Sequence, residues 1–177
     1  MKKKNLFALA FMLMAAAMLS FTSCSKDDDD DNGIIDDPVP EGLIGNWISE
    51  GENVAPLLLA FDIVKITAEF KEDGSYHVES FDSEDVMTVF SGVYTMEESA
   101  VADIWNITLV QSAPTSVTSQ GIFQIIETDN GREMKYEVVQ TEPSLGFSPP
   151  TAEGGFGSTG DGVLGENNVQ YYIEITE

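Results

Sequence analysis

Histidine and cysteine, two side chains often used in nucleophilic and metal chemistry, each occur once in this 177-residue chain. His77 and Glu79 share one face of an alternating segment, opposite Tyr76 and Val78, which places them on the solvent side of a strand. A serine triad needs a histidine beside its nucleophile, and a structural zinc site needs about four ligands. The sequence therefore predicts no catalytic residue, no metal site and no cofactor.

Carboxylates are abundant, because 31 aspartates and glutamates outnumber 8 lysines and arginines and give a net charge of −23. Their residue type would allow a glycosidase-like acid pair or an adventitious oxygen-ligated calcium ion. The acidic turn at residues 82–85 lacks the Asp-x-Asp-x-Asp-Gly spacing of a calcium loop. We expect a non-enzymatic protein, with a carboxylate-based glycan-active enzyme as the weaker alternative. The charge also argues against nucleic acid as a partner.

Alternating apolar and polar residues indicate strands over most of the chain after Gly42. In residues 63–71 the apolar side chains Val64, Ile66 and Phe70 share one face, and Asp73-Gly74 then turns the chain into a hairpin. A second hairpin turns at residues 129–131. The eight predicted strands cover residues 44–50, 63–71, 76–80, 86–96, 104–110, 121–128, 133–141 and 169–176.

Short turns between these strands predict that sequential strands pair as antiparallel neighbours. Only residues 54–61 offer a helical pattern of useful length. Eight twisted strands in a meander can remove their exposed edges by closing on themselves. We therefore predict an all-β domain over residues 43–177, an eight-stranded antiparallel up-and-down barrel, with a two-sheet β-sandwich as the alternative.

Large aromatic side chains at inward positions are the candidates for ligand contact, because they combine flat apolar area with a polar tip. The same side chains could equally fill the barrel as core. On the last strand, Val169, Tyr171, Ile173 and Ile175 are predicted to face inward. The candidate set, which includes two loop phenylalanines, is Trp47, Phe70, Tyr76, Phe90, Tyr94, Trp105, Tyr136, Tyr171, Phe147 and Phe156.

Residues 142–168 show no periodicity and are rich in glycine, yet they carry apolar side chains such as Leu145, Phe147 and Phe156. Loops of this length in compact domains are uncommon and are often lids or binding loops. We expect this segment to fold against one barrel opening and, with residues 54–61, to form the rim of a binding site. A disordered loop with incidental aromatics is the alternative.

The N-terminal segment has the pattern of an export signal, because Lys2, Lys3 and Lys4 precede an uncharged stretch over residues 5–25. An anchoring transmembrane helix is the less favoured interpretation. Leu19-Ser20-Phe21-Thr22-Ser23-Cys24 resembles the lipobox of bacterial lipoproteins. The resemblance implies a signal peptide at 1–23 and an acylated Cys24 that anchors the protein in a membrane.

Five aspartates, Asp27 to Asp31, follow the lipobox cysteine closely. This run is similar to the acidic signal that sends surface lipoproteins of one Gram-negative group to the outer face of the outer membrane. The resemblance implies localisation at the outer membrane, exposed at the cell surface, with residues 24–42 as an acidic flexible tether. A merely solvated spacer is the alternative.

Gly45-Asn46-Trp47 on the first strand resembles the lipocalin and lipocalin-like families, in which that tryptophan closes the barrel floor. Gly92-Val93-Tyr94-Thr95-Met96 is similar to lipocalin-like lipoproteins of the same bacterial group. Lipocalins usually lay an arginine from a late strand over the tryptophan, whereas the sole arginine here, Arg132, follows the turn at 129–131. A floor built differently is therefore also open. Trp47 as simply a large core side chain is compatible with either floor, because both bury the ring.

The sequence as a whole favours a surface-anchored lipoprotein whose barrel holds a small hydrophobic or glycan-derived ligand. The alternative is a filled barrel that acts as a non-enzymatic interaction module for other surface proteins. An open lumen would favour the first function, and a lumen filled by side chains would favour the second.

Overall fold

The computed structural model describes residues 42–176 as a closed barrel of eight antiparallel strands. Each strand pairs with its sequence neighbour, and the last strand returns to the first. The predicted up-and-down, lipocalin-like barrel is confirmed, and the sandwich alternative is wrong. The strands are β1 (Gly45–Glu50), β2 (Ile63–Phe70), β3 (Ser75–Asp82), β4 (Met87–Glu98), β5 (Trp105–Ala113), β6 (Val117–Thr128), β7 (Gly131–Glu142) and β8 (Gln170–Glu174).

In the described part of the chain, three short helical elements accompany the strands. A one-turn helix, α1 (Pro56–Ala60), follows a 3₁₀ turn at Gly51–Asn53, and a second 3₁₀ turn at Gly165–Asn168 precedes β8. The predicted helical pattern at 54–61 thus corresponds to α1, which begins with a proline at its first position, where no backbone donor is needed. No helix within residues 42–176 is long and apolar enough to cross a membrane.

The up-and-down order gives the barrel two different ends. The end where β1 begins, called the floor here, carries the short β2–β3 and β6–β7 turns and the β4–β5 connection. The opposite end, called the loop end, carries α1, the β3–β4 and β5–β6 turns and the long β7–β8 connection. Long and irregular segments are therefore concentrated at one end.

Inward-facing side chains form one continuous apolar core inside the barrel. The predicted inward faces of β2, β3 and β5 are confirmed, since Ile66, Phe70, Tyr76 and Ile107 are all buried. Every member of the core cluster lies between Leu43 and Tyr172. The described residues thus form a continuous apolar core of their own.

The predicted inward face of β8 is wrong by one residue. Tyr172 is buried in the core, whereas Tyr171 and Ile173 are exposed on the outside. Pairing with β7 fixes this phase, because Tyr172 lies opposite Met134 and Gln170 lies opposite Tyr136. A shift of one residue reverses every side chain on a strand.

Residues 150–168, called the strap here, lie against the outer surface of the barrel wall. Ala152 and Thr159 of the strap are buried, as are the outward-facing Ile122 of β6 and Val139 of β7. These four residues are not part of the barrel core. The segment 142–168 leaves the barrel at the loop end, near α1, as predicted. It was expected to fold against the barrel opening, whereas the strap covers the outer wall.

Candidate functional site

The floor is closed by Trp47, which is fully buried and donates a 2.8 Å hydrogen bond from Nε1 to the Leu43 carbonyl. The Arg132 guanidinium carbon lies 5.7 Å from the centre of the Trp47 ring. The expectation of a differently built floor is therefore wrong. Arg132 lies on the same inward face of β7 as Met134 and Tyr136. The alternation of the sequence alone could have predicted this position.

Arg132 is held over Trp47 by an ion pair with Glu174 on β8. Its Nε donates to Glu174 Oε2 at 2.8 Å, its Nη2 donates to the other carboxylate oxygen, and its Nη1 donates to the Gly42 carbonyl at 3.1 Å. The hydrogen bond from Arg132 lowers the pKa of Glu174, and the same bond raises the pKa of Arg132. The two charges at the floor, on Arg132 and Glu174, are therefore paired with each other.

Aromatic rings pack against one another inside the barrel. Phe70 meets Tyr94 edge-on at 5.2 Å between ring centres, and Tyr136 meets Tyr172 edge-on at 5.9 Å. Burial raises the pKa values of Tyr136 and Tyr172 above that of a free tyrosine. The candidates Trp47, Phe70, Tyr76, Tyr94 and Tyr136 are all at most 8% exposed and belong to the core.

The loop end is built differently from the floor. The inward-facing Gln170 donates to Ser49 Oγ and accepts a 2.7 Å hydrogen bond from the Ala55 backbone amide, which ties α1 to the barrel. The candidate Phe90 and the inward Val78 opposite it are only half-buried. Exposed apolar side chains surround this end: Leu59 and Phe61 near α1, Val86 and Met87 before and in β4, and Leu145 and Phe147 after β7.

The remaining candidates lie at separate places. Trp105 is half-buried near the floor, opposite Phe123. Tyr171 and Phe156 lie on the outer wall, where the Lys135 Nζ is 4.7 Å from the Phe156 ring centre and 5.6 Å from that of Tyr171. The candidates thus form no single site, and Phe90 and Phe147 alone are near the loop end.

Phe147 lies against Gly160 of the strap. A Cβ at Gly160 would stand 2.8 Å from a Phe147 ring carbon, and the backbone there has a φ of +63°. Both facts favour glycine at this position. The contact ties the start of the long β7–β8 connection to the strap.

Glu137 lies on the outward face of β7, between the inward-facing Tyr136 and Val138, yet it is a fully buried carboxylate. The strap surrounds it with three donors: the Gly157 amide at 2.6 Å, the Thr159 amide at 3.1 Å and the Thr159 hydroxyl. Glycines with positive φ at 155 and 157 let the backbone curve so that its amides face the carboxylate. The strap therefore forms a nest, a concave group of backbone amide donors, that binds the Glu137 carboxylate of the same chain.

Polar side chains that could perform chemistry are engaged in local structure. The His77 Nε2 lies 3.5 Å from Glu79 Oε1 on the outer wall, as predicted for a solvent-facing pair. The Asp82 carboxylate accepts the amides of Glu84 at 2.9 Å and Val86 at 2.8 Å, which stabilises the β3–β4 turn. Within residues 42–176 no group of three or more histidine, cysteine and acidic side chains is arranged to hold a metal.

Two shallow clefts lie on the described surface. One of about 450 Å³ is at the edge of the floor, between the start of β1 and the β2–β3 turn. The other, of about 460 Å³, lies on the wall formed by β3, β4 and β5, and its lining includes Val93 and Val110. Comparisons of the chain with protein-family models, curated proteins and solved structures found no match.

Proposed function

We propose that this protein is a lipid-anchored binding module of the outer membrane that presents its loop end to a small hydrophobic or glycan-derived ligand. The observation that carries the proposal is the contrast between the two ends of the barrel. The floor is sealed by Trp47 and by the ion pair between Arg132 and Glu174. The loop end, in contrast, has half-buried inward side chains and an exposed apolar rim. An exposed group of apolar side chains from several connections is typical of a binding surface.

The anchor belongs to the same proposal and rests on the sequence, because Cys24 lies outside the described residues. The lysine start, the uncharged stretch and the lipobox-like residues before Cys24 support acylation. Metabolic labelling with a fatty-acid analogue should label the wild-type chain and not Cys24→Ala. Equal labelling of the two would remove the lipoprotein part of the proposal.

The ligand itself can be tested by native mass spectrometry. The chain from Ser25 onward, which contains every described core residue, would be purified gently from a Gram-negative host and compared with a denatured sample. A bound small mass that disappears on denaturation would support the binding module and provide the molecule for identification. A bare chain mass would count against it.

A filled barrel that contacts other surface proteins is the second candidate function. The buried positions of Phe70, Tyr76, Tyr94 and Tyr136 favour it, because these inward rings take up space inside the barrel. The loop-end variants described in the Discussion distinguish the two, since a filled barrel would bind no apolar probe there.

A further inference from the structure

A buried carboxylate on the outer wall and an exposed ring at the loop end are linked by two adjacent residues of the strap. Thr159 binds the Glu137 carboxylate through both its amide and its hydroxyl. The next residue, Gly160, donates its amide to the Ser148 carbonyl at 2.9 Å and lies against the Phe147 ring. Phe147 belongs to the exposed rim and is 37% exposed. A short, continuous path therefore joins the nest to the rim.

The end of this path at Glu137 is held by several hydrogen bonds. Besides the two donors of Thr159, the Gly157 amide donates to Glu137 at 2.6 Å. Asn168 completes the group, since its side-chain amide donates to the Thr159 hydroxyl at 3.2 Å and to the Val138 carbonyl at 2.9 Å. Thr159 and Glu137 are both fully buried. Buried polar groups that are all satisfied favour one local geometry, because another arrangement would leave a donor or the carboxylate without a partner.

The rest of the strap contributes few other constraints. Glycine fills six of its 19 positions, and glycine loses more conformational freedom on ordering than any other residue. The buried apolar side chains of the strap, Pro150 and Ala152, are small. The order of the strap, and with it the position of Phe147, therefore depends strongly on the bonds to Glu137.

We propose that Glu137 is a positioning residue for the binding surface at the loop end, and that it acts through Thr159 and Gly160 on Phe147. The inference rests on the proposed function, because it gives Glu137 a part in the same site. While the nest is closed, the Phe147 ring is held against Gly160 and presents one fixed apolar surface to a ligand. A side chain that is already ordered binds more tightly than one that must be ordered on binding.

Two variants open the nest with little change in volume. Thr159→Val removes the hydroxyl that bonds to the carboxylate, and Glu137→Gln places an amide group among the donors of the strap. Thr159→Ser retains the hydroxyl and should restore what Thr159→Val loses. Glu133→Gln is the matched control, because Glu133 lies on the same outward face of β7 but between Ile126 and Ile173 in the sheet.

The first measurement follows the Phe147 ring without any ligand. In the chain from Ser25 onward, 4-fluorophenylalanine at position 147 gives a fluorine resonance that reports the surroundings of the ring. In Thr159→Val and Glu137→Gln this resonance should move toward that of the unfolded chain, whereas in Glu133→Gln it should keep the wild-type position. Cooperative thermal unfolding verifies that each variant has a folded barrel. A resonance that moves in neither nest variant would overturn the inference, because Phe147 would then be held without Glu137.

The second measurement is the binding of Nile red, a neutral apolar dye, to the same chains. Thr159→Val and Glu137→Gln should each weaken binding by about two- to tenfold, the effect of losing one aromatic contact. Phe147→Ser should weaken it to the same degree, and Thr159→Val added to Phe147→Ser should cause no further loss, because the ring that Thr159 positions is already absent. A loss of equal size with and without Phe147 would contradict the inference, since the strap would then act on the barrel as a whole.

The two measurements separate this inference from the proposed function. A wild type that binds no Nile red would overturn both. A wild type that binds the dye, together with nest variants that bind it equally well, would overturn the positioning role of Glu137 alone and would leave the loop end as the binding surface.

Discussion

The floor and the loop end of this barrel differ in how their polar groups are satisfied. At the floor, a charged pair lies over a buried tryptophan, and each charge has its partner within the barrel. At the loop end, neutral groups of Gln170, Ser49 and Ala55 bond to one another, and apolar side chains remain exposed around them. The difference indicates that the floor carries stability, and it is the reason why we propose the loop end as the binding surface.

The largest expected effect is the loss of stability in Trp47→Ala. Removing a fully buried tryptophan leaves a cavity beneath Arg132 and should cost about 3–5 kcal/mol in the free energy of unfolding. Phe90→Ala is the counterpart at the loop end, where the side chain is half-buried, and should cost clearly less. Urea unfolding of both variants measures the difference. Equal losses of unfolding free energy in the two variants would contradict the difference in stability between the floor and the loop end.

The strap gives the next largest effect, through Glu137→Ala. The change leaves the Gly157 amide and both donors of Thr159 without their acceptor, at a cost of about 2–4 kcal/mol. Cleavage by a protease within residues 150–168 should become faster. Glu133→Ala, on the same strand and face, is the control and should leave the cleavage rate unchanged. Unchanged cleavage in Glu137→Ala would show that the carboxylate does not hold the strap.

The floor ion pair predicts a smaller, pH-dependent effect. The pKa of Glu174 is lowered in the folded state by the hydrogen bond from Arg132, so its contribution is present above the unfolded pKa of about 4.3 and is lost as the pH falls through the folded value. Glu174→Gln should therefore destabilise by about 1–2 kcal/mol at pH 7, and the difference from the wild type should shrink on acidification.

Thermal unfolding between pH 7 and pH 3 measures this difference. Glu72→Gln, which removes an exposed carboxylate in the β2–β3 turn at the same end, is the control and should match the wild type at each pH. A Glu174→Gln deficit that stays constant across this range would mean that the charge of Glu174 contributes nothing.

Local alternation was sufficient to predict the strands, because each strand of a barrel buries one face and exposes the other. It failed on β8, where Tyr171 and Tyr172 offer similar apolar area to either face and pairing with β7 decides the phase. The burial of Glu137 was also out of reach, since its donors lie 20 and 22 residues further along the chain. Contacts of this kind depend on tertiary structure that periodicity does not encode.

The same limit explains the partial success at the candidate site. Aromatic residues were rightly placed inward on β2, β3, β4 and β7, but residue type cannot say whether an inward ring lines a lumen or fills it. Residues 54–61 and 142–168 were expected at one opening, but the part that the start of β4 takes in the exposed rim became visible only in the fold. Its members are far apart in sequence.

The smallest expected effect on stability, and the sharpest test of function, is Phe61→Ser. Phe61 is 71% exposed after α1, so its replacement should change the free energy of unfolding by less than about 0.5 kcal/mol. If the loop end is a binding surface, the same change should weaken binding of Nile red, a neutral apolar dye that the negative charge of the chain does not repel. Leu145→Ser should act in the same way. Dye fluorescence titrations measure both variants.

Ile175→Ser is the matched control, because Ile175 is also exposed and apolar but follows β8 at the floor end. It should leave dye binding unchanged. If all three variants bind the dye equally well, or if the wild type does not bind it, the exposed rim is not a ligand site, and the filled barrel becomes the better description. A loss confined to Phe61→Ser and Leu145→Ser would place dye binding at the loop end without any change in the core, because both side chains are exposed.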